Sequence, residues 1–577
     1  MGSQSDPGKN FRRLLGGRRA AAVFARATFP GVARARPALK WLLQACALVM
    51  SNDWARPGSP RVLLAFLVAV SSVILGAALS FVPSASRGLL GYMRTFATLS
   101  AVAVVVTHLL PEALHDLGAL SILLFLMGWF APALAHFIGQ RSTSGRPAHA
   151  VLEAGYWGLV VHHVADGIGL GTYTRLPAAE GSHLDVVVAL AAHTVPLIAV
   201  VSLAYRTTFG ARSAVTRSLG LALASVFGIA LSSLVAASTI DRFAPVIAAI
   251  AAGLLLHVVT HDLTEDPPRS ARSRVIDLAV AGLGVAVSLL GVERNADPAT
   301  WEFVRHLALL ARRTAPAILV GLALAALALR SLHRGSKFAR VARPSGVLGL
   351  ESALLGVALF GFASTALRLL VTAFALKALG AAPELESDAQ HDAPRGWLAR
   401  VSETLALCGP WLVLGLVVGA LLSSVGSSQL SRSVSGSLLE LFTVAIVANV
   451  TPVSALAALL IAAGVSELGC SSGAALLFAT LAPLLAERHA RAWQRLAMTL
   501  LCCVVAWLSN LSPAIGVPLD GSLPGGSLAA IALLGLLLCG VWQRGARIWL
   551  SSIVRTPAHE HEHAHDVHGP HGHGHGH

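Results

Sequence analysis

Charge is scarce in this chain. Asp, Glu, Lys and Arg make up 12% of its 577 residues, while 55% are hydrophobic and the mean hydropathy is +0.70. Soluble domains carry about 25% charged residues, so these values exclude an ordinary soluble enzyme and select a polytopic membrane protein. Cysteine is sparse too: Cys46, Cys408, Cys470, Cys502, Cys503 and Cys539 lie in or beside apolar segments, with no C-x-x-C spacing. A thiolate metal site and a disulfide framework are thereby excluded, which leaves small buried hydrophobes. No apolar span carries H-E-x-x-H, so the two imidazoles and general base of an intramembrane zinc peptidase are missing from the spans. Acidic residues are outnumbered 29 to 43, for a formal charge of +14. The basic residues, however, gather in the first 61 positions and in short loops between apolar spans. That is the positive-inside distribution, and nucleic acid drops out as a partner.

What the chain has in quantity is apolar length. Eight spans are expected near 62–83, 95–111, 119–138, 150–171, 186–205, 216–237, 243–262 and 276–292. Basic clusters mark every second loop: Arg87 and Arg94, Arg141 and Arg146, Arg206, Arg212 and Arg217, then Arg269, Arg272 and Arg274. The alternate loops are acidic or nearly neutral, which sets both ends of this module outside. A polar stretch then runs to Arg313, followed by a span near 314–331 and a basic loop from Arg330 to Arg343. A long apolar segment covers 346–380, an acidic loop 383–392, and further apolar segments lie near 404–425, 438–463, 471–486, 496–512 and 526–545. The total is about 14 or 15 spans in an all-α polytopic membrane protein. Pro410, Pro452, Gly464 and Pro483 interrupt the second half, as in broken helices that line substrate paths and also in plain kinks.

Both ends of the chain are polar. Residues 1–40 are Arg-rich and nearly free of acidic groups, and the apolar run 41–50 is too short to span. Residues 1–60 read either as a basic tail or as a signal-like leader. The tail 551–577 ends in interleaved His, Gly and acidic residues and reads as a cytoplasmic metal buffer or sensor.

The sharpest signal is His162, His163 and Asp166 in the fourth span. Ionisable groups at membrane depth cost about 2.5–3.5 kcal/mol each on insertion scales, so they face a partner, an ion or a water-filled path. His162 and Asp166 share one helix face, and His163 lies about 100° round from His162. A neutral imidazole and a carboxylate on one face form half of a divalent-metal site. Other ionisable groups near membrane depth are His108 and Glu112 at the close of the second span, His136 ending the third, and His193 in the fifth. His257 and His261, followed by Asp262 and Glu265, close the seventh. For His136, His257 and His261, a helix–helix hydrogen bond weighs at least as much as metal ligation.

These residues resemble the motifs of the ZIP (Zrt/Irt-like) family of divalent-metal transporters over about 61–292. The family's fourth-span pattern H-N-x-x-D-G-x-x-x-G is matched by His162, His163, Asp166, Gly167 and Gly171, with His163 in place of Asn. Its H-x-x-P-E is matched by His108, Pro111 and Glu112. In the fifth span, where the family shows H-E-x-P-H-E, this chain keeps His193 and Pro196 but has Thr194, Leu197 and Ile198. The resemblance implies an eight-helix bundle with His162, His163, Asp166 and His193 as a single four-ligand site, Zn2+ the best match, and no second bridged metal. It also implies His108 and Glu112 at the outer mouth and His257, His261, Asp262 and Glu265 at the inner exit.

Residues 404–512 resemble the predicted-permease family that includes organoarsenical efflux permeases. The resemblance rests on the helix from Glu403 to Leu422 and on the segments beginning at Pro452 and Gly473. The family's C-x-C-G is absent, with Asn449, Val450 and Thr451 in its place.

The expected organisation is therefore a tail at 1–60, a ZIP-like domain at 61–292, and a one-span connector at 293–345. A permease-like bundle follows at 346–550, then the His-rich tail at 551–577. The expected function is divalent-cation transport without enzymatic activity, in an inner membrane. Its partners are the metal ion and the lipid bilayer, and a homodimer is left open. Two alternatives stand beside it: a metal-sensing, non-transporting ZIP-like domain that regulates the permease half, and an intramembrane zinc-dependent hydrolase.

Overall fold

The computed structural model describes residues 59–81, 87–142, 147–173, 184–234, 237–261, 270–289, 298–331, 348–378, 397–425, 435–486, 491–511 and 525–554. Residues 1–58 and 555–577 of the two tails, the loop 383–392, Asp262 and Glu265 lie outside the described residues. Every regular element among those described is a helix.

In the N-terminal module a helix lies at each of the eight positions where a span was expected, and two of them, at Gly91–Leu117 and Ala211–Ser232, are long and apolar enough to cross a membrane. Helix α1 is Ser59–Ser80; α2, Arg87–Val104, continues through a π turn at Val105–Leu109 into α3, Leu110–Leu117. There follow α4 (Ala119–Ser142), α5 (Pro147–Tyr173), α6 (Leu184–Phe209), α7 (Ala211–Leu234), α8 (Ala237–His261) and α9 (Ala271–Leu289). Helix α5 packs on α4, α7 and α8, while α1 packs on α6 and α7.

Helix α10, Pro298–Ser331, corrects the reading of 298–313 as a polar connector. The segment is amphipathic: Thr300, Phe303 and Leu310 are buried, and Trp301 is exposed. That inward stripe continues at helical spacing through Ala315, Ile318, Leu322 and Ala325, so one face carries the helix through polar composition.

The second half comprises α11 (Leu350–Ala378), α12 (Trp397–Ser424), α13 (Leu438–Val450), α14 (Ala455–Glu467), α15 (Ser472–Ala486), α16 (Ala492–Asn510), α17 (Gly526–Arg544) and α18 (Ala546–Val554). The expected single span at 438–463 is two helices. Pro452 cannot donate to a continuing ladder, and Ser454 caps the restart by accepting the Ala457 N–H. Each helix has 13 residues, about 20 Å, which is short of a bilayer's hydrocarbon core.

Helix α11 departs further from a simple span. Gly361 (φ 80°, ψ 171°) breaks it, and an Arg368 Nη2–H donates to Ser352 Oγ at 3.2 Å. Sixteen residues of straight helix would separate that pair by about 24 Å. The two arms therefore fold back on each other as a helical hairpin.

Side-chain distribution identifies the surroundings. On α16 the exposed residues include Trp493, Leu496, Leu500, Val504, Trp507 and Leu511, and on α17 Leu528, Ile531, Leu534 and Leu538. Large apolar groups repeat along the outer faces, while α14 is buried on every side and built mostly from Ala and Leu. Outer stripes of this kind suit lipid rather than water. By length and composition, six helices among the described residues can cross a membrane, with eight shorter apolar stretches beside them. One of the six is the segment that folds back as α11, so its length overstates its reach. The chain is an all-α polytopic membrane protein.

Among the described residues, two contacts join the halves beside that of Thr300 with the Thr107 carbonyl. Leu114, Phe303, Ala420 and Leu421 form one apolar cluster joining α3, α10 and α12. Asp277 of α9 accepts from Thr95 Oγ1 at 2.7 Å and from the Ala546 N–H at 3.2 Å, capping the start of α18 with a carboxylate.

Candidate functional site

Helix α5 reaches its neighbour α7 at backbone contact. A Cβ on Gly167 would collide with the Ser225 carbonyl oxygen, one on Gly228 with the Val164 carbonyl oxygen, and one on Gly171 with the Ser232 hydroxyl. Small residues at this spacing let two membrane helices approach closely, so the two glycines of the fourth-span motif serve packing. The close approach sets the next turn of α5 against the hydroxyl of Ser225.

His163 and His162 are both almost fully buried. His163 Nδ1 lies 3.0 Å from Ser225 Oγ, whose hydroxyl has the Leu221 carbonyl as its own acceptor at 3.3 Å. When the Ser225 hydroxyl is given to Leu221, the imidazole proton falls on Nδ1 and the lone pair on Nε2, the arrangement of a second-shell bond that orients a metal-binding histidine. His162 stands edge-on to His163, ring centroids 5.8 Å apart, with Nε2 3.3 Å from Asp166 Oδ2 one turn on. A small cleft, with room for about one water-sized group, opens between α1, α5, α6 and α7. His163, Asp166, Thr194, Ser225 and Ser72 supply its polar wall.

Thr194, Ser225 and Ser72 were not singled out from sequence. Thr194 stood only as a missing carboxylate, and a serine on an apolar helix gives no signal of its own. His193, on α6 beside Thr194, has a side chain outside the described residues, as do His136 and His261. Among the described residues no three His, Cys, Asp or Glu side chains converge tightly enough to hold a metal ion. His163 Nε2 and the Asp166 carboxylate are the donors that the cleft offers.

The remaining expected residues sit elsewhere. His108 lies in the π turn and donates from Nε2 to the Ser288 carbonyl of α9 at 3.0 Å, and Glu112 is exposed. The turn has a local cause. Pro111 lacks the N–H that would close on Thr107, Leu110 bonds back to Val105 instead, and Thr300 of α10 donates its hydroxyl to the stranded Thr107 carbonyl at 2.9 Å. Replacing Thr300 with Val removes that donor at constant shape and should cost about 1–3 kcal/mol. Thermal unfolding in detergent reads the loss. His257 stands edge-on to Trp129 of α4 at 5.7 Å, a helix–helix contact. Cys408 and Cys502 are buried and Cys539 is exposed, and these three with Cys470 and Cys503 are free thiols.

At the end of the bundle bordered by basic loops, Arg217 pairs with Glu153 at 2.7 Å and lies over the rings of Tyr156 at 4.5 Å and Tyr205 at 5.5 Å. This plug ties α5, α6 and α7 together at one end of the module. No family model, no curated protein and no solved structure matches the chain.

Proposed function

We propose that the chain is an inner-membrane transporter whose N-terminal bundle passes a divalent cation, Zn2+ being the best match, past His163 and Asp166. The observation that carries this reading is the cleft inside an apolar bundle that joins a buried imidazole, a carboxylate and three hydroxyls. A cation leaving water needs replacement donors and a compensating negative charge at membrane depth. Asp166 supplies the charge, the Nε2 lone pair of His163 supplies a borderline-soft donor, and Thr194 and Ser225 supply oxygen. His162 stands beside the carboxylate, its Nε2 3.3 Å from Asp166 Oδ2. Few strong donors suit an ion that has to leave again. His193, next to Thr194 on α6, would complete the four-ligand set implied by the resemblance to ZIP transporters.

The sensing reading has one observation in its favour. The π turn that carries His108 is held by Thr300, on the helix that also packs against the second half. Purified protein in liposomes loaded with a zinc indicator separates the two. Transport predicts zinc entry faster than in empty liposomes, reduced about tenfold or more by His163→Ala and by Asp166→Asn. Ser225→Ala, which removes only the orienting bond, should lower apparent affinity by about tenfold. Stoichiometric zinc binding without entry favours sensing, and wild-type flux in both His163→Ala and Asp166→Asn overturns the assigned path.

A further inference from the structure

The most deeply buried cation of the second half lies in the α11 hairpin. Arg368 is 2% exposed, and among the described residues its guanidinium makes one hydrogen bond, to Ser352 Oγ on the opposite arm. Nε and Nη1 are buried with no hydrogen-bond partner among the described residues, and no ion pair joins Arg368 to a described carboxylate. One turn on, on the same helix face, Thr372 is fully buried and its Oγ1 likewise finds no partner among the described residues. An arginine cannot shed its charge, and it carries five N–H donors and no acceptor. A seam that combines a permanent positive charge with surplus donors, inside an apolar bundle, lacks an acceptor-rich anion.

We propose that the α11 hairpin is an anion site, in which Arg368 takes a small oxyanion of the carboxylate, phosphate or sulfate class. Thr372 adds a hydroxyl donor, while Ser352, whose own hydroxyl donates to the Gly349 carbonyl at 2.8 Å, holds the guanidinium from the opposite arm. A guanidinium pairs with such a group through parallel charge-assisted bonds, a geometry that a spherical halide cannot return. Because Ser352 and Arg368 lie on opposite arms, a bound oxyanion favours the closed hairpin. The site is separate from the cation path of the first half and gives the permease-like half a ligand of opposite sign.

The test uses full-length protein in a maltoside detergent, which contains no phosphate, so that any bound phosphate is the free ion rather than a lipid headgroup. Thermal unfolding is followed with inorganic phosphate, sulfate and acetate, each at constant ionic strength against chloride. At least one of the three should raise Tm saturably above the chloride control. Arg368→Gln should abolish that rise, and Thr372→Val, a near-isosteric change, should weaken the binding about tenfold. If none of the three exceeds chloride in the wild type, or if Arg368→Gln retains the effect, the site is refuted. Should Arg368→Gln not fold, Thr372→Val decides: wild-type affinity in that variant refutes the site.

Discussion

Replacing Gly167 with Leu should remove the folded N-terminal bundle from a membrane preparation. Gly167 faces Ser225 and Gly228 at backbone contact, and its absent Cβ would stand about 3.0 Å from Gly228 Cα besides striking the Ser225 carbonyl oxygen. Gly228 makes the reciprocal contact with the Val164 carbonyl. Overpacking in a core costs about 1–3 kcal/mol where side chains can shift. Here the obstacle on both sides is helix backbone, which cannot rotate away, so α5 and α7 have to separate along the seam. The same separation withdraws Ser225 from His163 Nδ1, now 3.0 Å away, so any protein that survives should also lose zinc entry. Gly282 and Gly535 provide the control, since nothing lies within 4 Å of a Cβ built on either. Alanine at those positions should leave the gel-filtration profile and Tm unchanged. A Gly167→Leu protein that elutes and melts with these controls would mean that the two helices do not touch in this way.

The helices of the N-terminal module were legible in the sequence because each falls on an apolar stretch bounded by polar or charged loops. The fourth-span cluster was legible for a related reason: ionisable groups in lipid stand out against their neighbours. Its surroundings were not. Ser225 is 62 residues from the imidazole that it orients, and Thr300 is 193 residues from the carbonyl that it satisfies. Neither relation leaves a local trace. Helix α10 was cut short because its polar first turns hide an apolar stripe of only one face in the composition of all faces. By resemblance His108 and Glu112 are expected at the outer mouth and His257 at the inner exit. His108 bonds to the Ser288 carbonyl, and His257 meets Trp129, the helix–helix contact that the sequence weighs beside metal ligation.

The hairpin is the sharpest departure from the sequence reading, and its cause is a single residue. Summed hydropathy over 346–380 cannot distinguish one long helix from two short ones, since both bury the same apolar groups. Gly361 is the difference, because its φ and ψ fall in a region essentially closed to residues with a Cβ. The lone Arg368 in so apolar a stretch was the signal available. Gly361→Val should therefore cost about 1–3 kcal/mol in the folded state.

A covalent test is more decisive. A Cβ built on Gly356 lies 3.5 Å from Thr365 Cβ, at the short end of the range of about 3.5–4.5 Å that disulfides adopt. In an unbroken helix the same two residues would be about 13.5 Å apart along the axis, beyond any disulfide. A Gly356→Cys, Thr365→Cys protein should therefore cross-link under mild oxidation, with mass spectrometry placing the bond between those positions rather than at a native thiol. The cross-link would lock Ser352 and Arg368 together and should preserve the oxyanion-induced rise in Tm. If no bond forms while both thiols are reactive, α11 is a straight span. Arg368 would then lie far from Ser352, without the closed seam that gives it a reason to be buried.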